Sequence, residues 1–344
     1  MSRPTLAPHS LLSLLSLLSL LAPPMLLLAP LTAQAREADT MRAMVVKNGE
    51  LVMQSVAKPK PGPGEVRIRI RAAAVNPADW KLARVASRFG PEPILGLDAA
   101  GIIDAVGPSV TGWKRGDAVI ALTRPPHGAY AQYAVTSVDF IAPKPSTLSF
   151  DQAAGIPVAG ITAWRSLIDV AHLRKGERVL IDGGAGGVGS AAVQIAKAQG
   201  AYVIATASAS NAQFLRSIGA DESIDYTAGP FEQKVKDVDV VLDTVSPQDG
   251  LEAMSTLKPG GVLVSIVGLM PAEECAAHRI RCTAPGSSGA QPAAPYLRHL
   301  ATLADTGRYQ VSVARVLPLS RAAQAWALNR EGHTRGKLIL SVTN

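Results

Sequence analysis

The residues with the clearest chemical meaning form a G-x-G-x-x-G stretch at positions 184–189. The apolar run 179–181 before it predicts a buried parallel strand, and apolar residues at helical spacing after it predict a helix ending at Gly200. Glycines between a strand and a helix permit a tight turn and let backbone N–H groups approach a diphosphate. The predicted diphosphate ligands of a dinucleotide are Gly184, Gly186, Gly187, Val188 and Gly189.

The loop after the second predicted strand, residues 202–206, indicates which dinucleotide binds. An acidic side chain about 20 residues beyond the glycines would bind the ribose hydroxyls of NAD. Residues 207–211 contain no Asp or Glu, and the small polar side chains of Ser208 and Asn211 are predicted to face a 2′-phosphate. The loop holds no Arg or Lys either. The pattern favours NADP, and the alternative is a polar loop that selects neither cofactor.

Composition and charge set broad limits. The chain has 344 residues, 47% of them hydrophobic and 18% charged, which fits two globular domains. The net charge is +7, but the basic residues are scattered, so nucleic-acid binding receives little support. Two cysteines, Cys275 and Cys282, are too few for a cysteine-based structural zinc site. The sequence leaves open whether these two residues form a disulfide.

The N-terminal region differs from the rest of the chain. Arg3 precedes a leucine- and serine-rich run at 11–21, and Ala33-Gln34-Ala35 has the form of a signal-peptidase site. These features predict a signal peptide over residues 1–35, an exported (periplasmic) protein and no stable membrane insertion after cleavage. Two alternatives stay open: a cytoplasmic enzyme whose translation starts at Met41, and a protein tethered to a membrane by an uncleaved leader.

Beyond the leader, the pattern of apolar residues changes twice. Residues 41–165 lack helical periodicity and are rich in glycine and proline, so they predict a small β-rich domain. Residues 166–305 alternate strands with helices, which is typical of a doubly wound parallel sheet, and end in a predicted loop at 283–295. From residue 306 onward, two strands and a helix are predicted to rejoin the first domain. The main further predictions are strands at 66–70, 238–242, 262–267, 309–317 and 337–342, and helices at 212–218, 251–257 and 322–329.

Seven motifs in one order give the chain a family resemblance. They lie at 74–80 (AVNPADW), 95–101 (LGLDAAG), 116–119 (GDAV), 128–131 (GAYA), 162–164 (TAW), 184–189 and 332–337 (GHTRGK). In these motifs the chain resembles the medium-chain dehydrogenase/reductase superfamily, in its zinc-independent quinone oxidoreductase-like branch. The resemblance implies an α/β fold with two domains and the active site in the cleft between them. A GroES-like β-rich catalytic domain, residues 41–165 plus 306–344, is interrupted by a Rossmann NADP-binding domain, residues 166–305.

The resemblance also implies a reaction. The zinc-dependent branch binds its catalytic metal through Cys, His and Cys, but those positions here hold Asn76, Leu97 and Val158. Because aliphatic side chains cannot ligate zinc, we expect hydride transfer from NADPH without zinc or flavin. Suitable acceptors are already electron-poor, such as quinones and α,β-unsaturated carbonyls. The alternatives are a reductase of one specific enoyl substrate and a non-catalytic NADPH-binding sensor or partner protein.

Three side chains are candidates for donating a hydrogen bond to the reduced substrate. Asn76 is the first, since by resemblance it lies near the nicotinamide; the alternative is an asparagine that only shapes a turn before Pro77. Lys81 is the second, and a solvated lysine is its alternative. Tyr130 is the third, and its alternative is a core tyrosine hydrogen-bonded within the domain.

Four further residues are assigned to the cofactor by resemblance. Thr162 and Gly268 lie near the nicotinamide, Tyr226 lies near the adenosine and Lys337 lies near the cleft. An ordinary helix residue and an ordinary turn glycine are the alternatives for Thr162 and Gly268. Family members commonly pair through their Rossmann sheets, so a homodimer is also expected.

Overall fold

The protein is described here by a computed structural model that covers residues 39–286 and 291–342. The predicted signal peptide, residues 1–35, lies outside the described residues. Within the described residues, no helix is both long and apolar enough to cross a membrane.

The GroES-like part, which the resemblance predicts to be the catalytic domain, is built on strands from two distant stretches of the chain. Its central strand, β3, alternates as the sequence predicts: Val66, Ile68 and Ile70 are buried, whereas Arg67 and Arg69 are partly exposed. Seven strands form one sheet in the order β14-β15-β3-β4-β5-β7, with β6 also paired with β3. They are β3 (Glu65–Val75), β4 (Asp98–Val106), β5 (Ala118–Leu122), β6 (Tyr133–Ser137), β7 (Ile141–Pro143), β14 (Val313–Pro318) and β15 (Lys337–Ser341), and a separate hairpin pairs β1 (Thr40–Lys47) with β2 (Glu50–Ala57).

A six-stranded parallel sheet stands between these two stretches of the chain, in the order β10-β9-β8-β11-β12-β13. Its strands are β8 (Arg178–Asp182), β9 (Tyr202–Ala207), β10 (Glu222–Asp225), β11 (Val238–Asp243), β12 (Leu257–Ser265) and β13 (Arg281–Thr283). Val179, Leu180 and Ile181 are fully buried, as expected for a central strand covered on both faces. The predicted fold class, a GroES-like domain interrupted by a Rossmann domain, is confirmed.

The described residues contain nine α-helices. They are α1 (Pro77–Ala83), α2 (Phe150–Ala154), α3 (Pro157–Trp164), α4 (Gly187–Ala198), α5 (Ala212–Ser217), α6 (Pro247–Ala253), α7 (Ala272–Ala277), α8 (Ala294–Asp305) and α9 (Ala322–Glu331). The sequence analysis defined no helical element within residues 41–165, but the structure places α1, α2 and α3 there. These helices have only five to eight residues, too few for a helical repeat to show in the sequence.

The segment predicted as a loop at 283–295 is also corrected at both ends. Strand β13 occupies its first residue, and α8 begins before its last. Helix α8 buries Leu297, Leu300 and Leu303 against the core. These leucines, whose spacing indicates a helix, all lie after the segment whose composition predicted a loop, so the end of the loop was placed too late. The helix predicted at 251–257 begins four residues earlier, at Pro247.

In the structure the two cysteines form a disulfide, a pairing that the sequence alone left open. Cys275 lies on α7 and Cys282 on β13, with their Cα atoms 6.0 Å apart. The bridge therefore joins a helix of the Rossmann domain to the edge strand of its sheet.

Candidate active site

The glycine-rich loop connects β8 to α4, as predicted. No side chain caps the first turn of α4, so its N–H groups are available to an anion. A Cβ atom at Gly189 would lie 2.1 Å from the carbonyl oxygen of Gly183, so only glycine allows the helix to approach the loop this closely. A Cβ at Gly186 would meet one atom, 3.3 Å away, so that position is open to a ligand. The loop therefore fits the diphosphate of a dinucleotide.

A segment of the catalytic domain lies directly on this loop. The backbone N–H of Gly336 donates to the carbonyl oxygen of Ala185 at 2.9 Å. The next side chain, Lys337, passes over Gly187, where an added Cβ would lie 2.9 Å from the Lys337 Cδ atom. Because position 187 has no side chain, there is room for the Lys337 side chain to extend into the catalytic domain.

The Lys337 ammonium ends in a buried polar cluster with Asn76 and Asp98. Its Nζ atom donates to Asn76 Oδ1 at 2.5 Å and lies 3.5 Å from Asp98 Oδ2. The Asn76 Nδ2 atom in turn donates to Asp98 Oδ2 at 2.9 Å. Lys337 is 6% exposed, Asn76 3% and Asp98 0%, so the three groups hydrogen-bond one another with little contact with bulk water.

Helix α3 contributes to the same cluster through its backbone. The N–H of Val158, near the start of α3, donates to Asp98 Oδ1 at 2.7 Å. Two buried carboxylates, Asp79 and Asp98, thus bring together Asn76, Leu97 and Val158, the three positions that by resemblance correspond to metal ligands in the zinc-dependent branch. Among the described residues, no group of three or more His, Cys, Asp or Glu side chains is placed to hold a metal ion.

The second buried carboxylate, Asp79, fixes the backbone on either side of the cluster. It accepts hydrogen bonds from the N–H groups of Asn76 at 2.8 Å and Leu97 at 3.1 Å. The Tyr130 hydroxyl also donates to it at 2.8 Å, and the Trp326 indole donates to Tyr130 at 3.2 Å. Asp79 therefore holds in place the segments that carry Asn76 and Asp98.

Burial sets the protonation of these acids. Loss of hydration raises the pKa of Asp79 from 3.8 to about 7, and its hydrogen bonds from Asn76 and Tyr130 only partly oppose that rise. Burial also raises the pKa of Asp98, whereas the nearby Lys337 ammonium acts to lower it. The same loss of hydration raises the pKa of the Tyr130 hydroxyl well above its usual value.

A third buried acid, Asp182, lies directly before the glycine-rich loop. Thr206 donates to its Oδ1 atom at 2.5 Å, and its Oδ2 atom makes no hydrogen bond within the described residues. Burial raises its pKa to about 7, with the carboxylates of Asp249 and Asp243 contributing. At neutral pH this carboxyl is therefore only partly ionised, which reduces its repulsion of a diphosphate bound nearby.

The other predicted site residues are placed as follows. Lys81 is exposed, with its ammonium 5.6 Å from the centre of the Trp80 ring, which favours a solvated lysine. Tyr130 is fully buried and bonded to Asp79, which favours a core tyrosine over a residue that touches substrate. Thr162 lies half-buried on α3, and Gly268 follows β12, where its N–H donates to Ser265 at 3.3 Å.

The residues predicted to lie near the adenosine and to face the 2′-phosphate are found at one edge of the parallel sheet. Ala207 and Asp225 pair at the ends of β9 and β10, so Ser208 and Tyr226 are the next residue on each strand. Tyr226 is 44% exposed. Asn211 donates from Nδ2 to the Ser208 hydroxyl at 3.0 Å, which joins the two predicted phosphate ligands in one loop.

The sequence analysis did not assign roles to Asp98 and Arg335. Asp98 stands among apolar residues at 95–101, and a charge in such a run requires a buried partner. That signal was present, but Lys337 lies 239 residues away, and no spacing rule connects the two. Arg335 reaches the loop at 208–211 from the other domain, so its contact could not be predicted from that loop.

Two family models match the chain: an alcohol dehydrogenase GroES-like domain over residues 62–146 and a zinc-binding dehydrogenase domain over residues 218–340. The chain is also 32% identical over 278 residues to the mitochondrial NAD(P)H oxidoreductase RTN4IP1 of Danio rerio, covering 72% of each chain. The chain belongs to the medium-chain dehydrogenase/reductase superfamily. This assignment agrees with the resemblance of the seven motifs and with a general oxidoreductase role.

Two further members of the superfamily are informative. The chloroplastic NADPH-dependent alkenal/one oxidoreductase of Arabidopsis thaliana is 33% identical over 283 residues, which cover 78% of this chain and 70% of the relative. The solved structure of the quinone oxidoreductase from Coxiella burnetii matches with a TM-score of 0.81 at 31% identity, over 88% of this chain and 100% of that one.

Asp79 gives a prediction for the pH dependence of stability. The unfolded chain ionises this carboxyl near pH 4 and the folded chain near pH 7, so the free energy of unfolding falls as pH rises between these values. The decrease amounts to about 4 kcal/mol. We expect Asp79→Asn to flatten the pH dependence of urea unfolding between pH 4 and 7. Asp237→Asn, at an exposed position, is the control; an unchanged slope in Asp79→Asn would contradict the prediction.

Proposed function

We propose that the protein is an NADPH-dependent reductase that transfers a hydride to a quinone or an α,β-unsaturated carbonyl without zinc or flavin. The observation that carries the proposal is the cluster of Asn76, Asp98 and Lys337. In this cluster the side-chain amide of Asn76 is hydrogen-bonded to two charged groups, Lys337 and Asp98. By resemblance, Asn76 corresponds to a metal ligand in the zinc-dependent branch. The names of the related alkenal/one and quinone oxidoreductases support the same class of acceptor.

The chemistry of the side chains argues against zinc. A catalytic zinc site needs three protein ligands that carry nitrogen, sulfur or oxygen donors. Leu97 and Val158 offer no such atom, and the Asn76 side-chain oxygen already accepts from Lys337. The residues present therefore do not fit a catalytic zinc ion, and we derive no step through one.

The chain's residues do fit the dinucleotide. The glycine-rich loop would hold its diphosphate, while Thr162 on α3 and Gly268 after β12 would border its nicotinamide. When bound, NADPH supplies the hydride. Because Lys337 passes over Gly187 and ends at Asn76, one side chain connects the phosphate-binding loop with the group that we assign to the substrate.

Asn76 is the residue that we assign to the substrate oxygen. A side-chain amide has two N–H groups, and one of them donates to Asp98. The second is left for an oxygen on which negative charge develops as the acceptor is reduced. Lys337 donates to the other end of the amide, which increases the polarity of that N–H group. Lys337 and Asp98 thus act as positioning residues through Asn76.

The first test is turnover by the purified protein. We expect oxidation of NADPH in the presence of an ortho-quinone, a para-quinone or a small enone, unchanged by EDTA and slower with NADH. The better acceptor would separate quinone from enone reduction, and a single enoyl substrate would narrow the class further. Tight NADPH binding without turnover of any acceptor would instead support a sensor or partner protein.

Asn76 provides a test of the proposed donor. We expect Asn76→Ala to reduce kcat by about 10²- to 10³-fold, the usual effect of removing one oxyanion donor. The affinity for NADPH, measured by quenching of tryptophan fluorescence, should change little, and circular dichroism would verify the fold. If kcat stays within a factor of about 3 of the unsubstituted enzyme, Asn76 is not the donor.

We further propose that the protein is exported. Support comes from the leader pattern in the sequence and from the Cys275–Cys282 disulfide, since such bonds persist mainly in oxidising compartments such as the periplasm. We expect the protein recovered after expression of the full sequence to begin at Arg36 and to contain no free thiol. Intact mass spectrometry with and without reduction tests both points. A chain that begins at Met41 with two titratable thiols would favour the cytoplasmic alternative.

A further inference from the structure

Arg335 brings a positive charge to a loop that contains none. Ser208 and Asn211 are predicted to face a 2′-phosphate, yet their loop, residues 207–211, includes no Arg or Lys. In the structure, Arg335 Nε donates to Asn211 Oδ1 at 2.6 Å, and its Nη2 donates to the carbonyl oxygen of Ser210 at 3.3 Å. The cation thus comes from the catalytic domain and contacts the Rossmann domain at the predicted phosphate loop.

The backbone that carries Arg335 is fixed at this place. Its neighbour Gly336 donates to Ala185 in the glycine-rich loop at 2.9 Å. Gly336 has a φ of +76°, and an added Cβ would lie 2.1 Å from the carbonyl oxygen of Ser312. Only glycine fits such a position, so the close contact between the two segments holds Arg335 beside the phosphate loop.

The guanidinium group retains capacity for a ligand. Arginine has five N–H donors in a planar fork, and the contacts with Asn211 and Ser210 use two of them. The group lies 5.5 Å from the centre of the Phe214 ring, within the range of a cation–π contact, and the Arg335 side chain is exposed. A planar guanidinium with free donors is well suited to paired hydrogen bonds with phosphate oxygens.

The acidic group that borders the loop is Asp225, at the end of β10. Its carboxylate accepts hydrogen bonds from the Thr227 backbone at 2.9 Å and hydroxyl at 2.7 Å, and also from the backbone of Ala209. These bonds lower its pKa, so Asp225 is ionised at neutral pH. A 2′-phosphate placed here would be repelled by Asp225, and the loop itself supplies no charge to offset that repulsion.

We infer that Arg335 binds the 2′-phosphate of NADPH and is the main determinant of the preference for NADPH over NADH. This inference rests on the proposed function, because it assumes that the protein uses NADPH. It also deepens that function, since it assigns cofactor selectivity to a residue of the catalytic domain, with Ser208 and Asn211 completing the phosphate site.

Calorimetric binding of 2′,5′-ADP, NADPH and NADH to the full-length mature protein tests the inference without turnover. We expect Arg335→Gln to weaken binding of 2′,5′-ADP and NADPH by about 10- to 100-fold, the effect of losing a charge-assisted contact, and to change NADH affinity by less than about 3-fold. Arg335→Lys should recover part of the loss, because it keeps the charge without the fork. Arg330→Gln, an exposed arginine at the end of α9, is the matched control and should bind like the unsubstituted protein.

The possible failures are distinguishable. If the unsubstituted protein prefers NADPH and Arg335→Gln retains that preference, the inference about Arg335 is overturned and the proposed function stands. Equal binding of NADPH and NADH by the unsubstituted protein would overturn both the inference and the proposed NADPH dependence. A loss of affinity for NADH as large as that for NADPH would identify general damage to the site and would also overturn the inference. Thermal unfolding of each variant verifies that it is folded.

Discussion

The buried ion pair between Lys337 and Asp98 is the constraint on which the rest of the site depends. Removing one partner of such a pair typically costs 3–5 kcal/mol, because the other charge is left buried without compensation. The pair persists because Asn76 and the N–H of Val158 satisfy the remaining polar atoms. Strand β15 must therefore lie beside β3, and the start of α3 must point its N–H at Asp98. The same pair fixes the orientation of the Asn76 amide.

Three consecutive residues, 335–337, connect the parts of the site. Arg335 contacts the loop after β9, Gly336 binds the glycine-rich loop, and Lys337 enters the cluster with Asn76 and Asp98. Because adjacent residues cannot move independently, one short piece of backbone positions the glycine-rich loop, the loop after β9 and the cluster relative to one another. The cleft between the domains is thus organised by a segment of the catalytic domain that lies against the Rossmann domain.

Local patterns in the sequence were sufficient to predict part of this arrangement. The glycine-rich loop was predicted correctly because strand, glycines and helix follow one another within some 20 residues. Helices α1, α2 and α3 were not defined from the sequence, because five to eight residues leave no detectable helical period. The Lys337–Asp98 pair could not be predicted, since each charge signals only that it needs a partner. Family resemblance placed Asn76 and Lys337 near the cleft, but their hydrogen bond depends on tertiary structure.

The pairing of β15 with β3 also has a consequence for folding. The Rossmann sheet forms within one continuous stretch, residues 178–283, whereas the catalytic sheet must join Leu338 to Val75. Closing so long a loop early is entropically costly, and contacts between distant residues form slowly. A folded Rossmann domain shortens the distance between the two stretches, since domain termini often lie close together. This connectivity favours folding of the Rossmann domain before β15 pairs with β3.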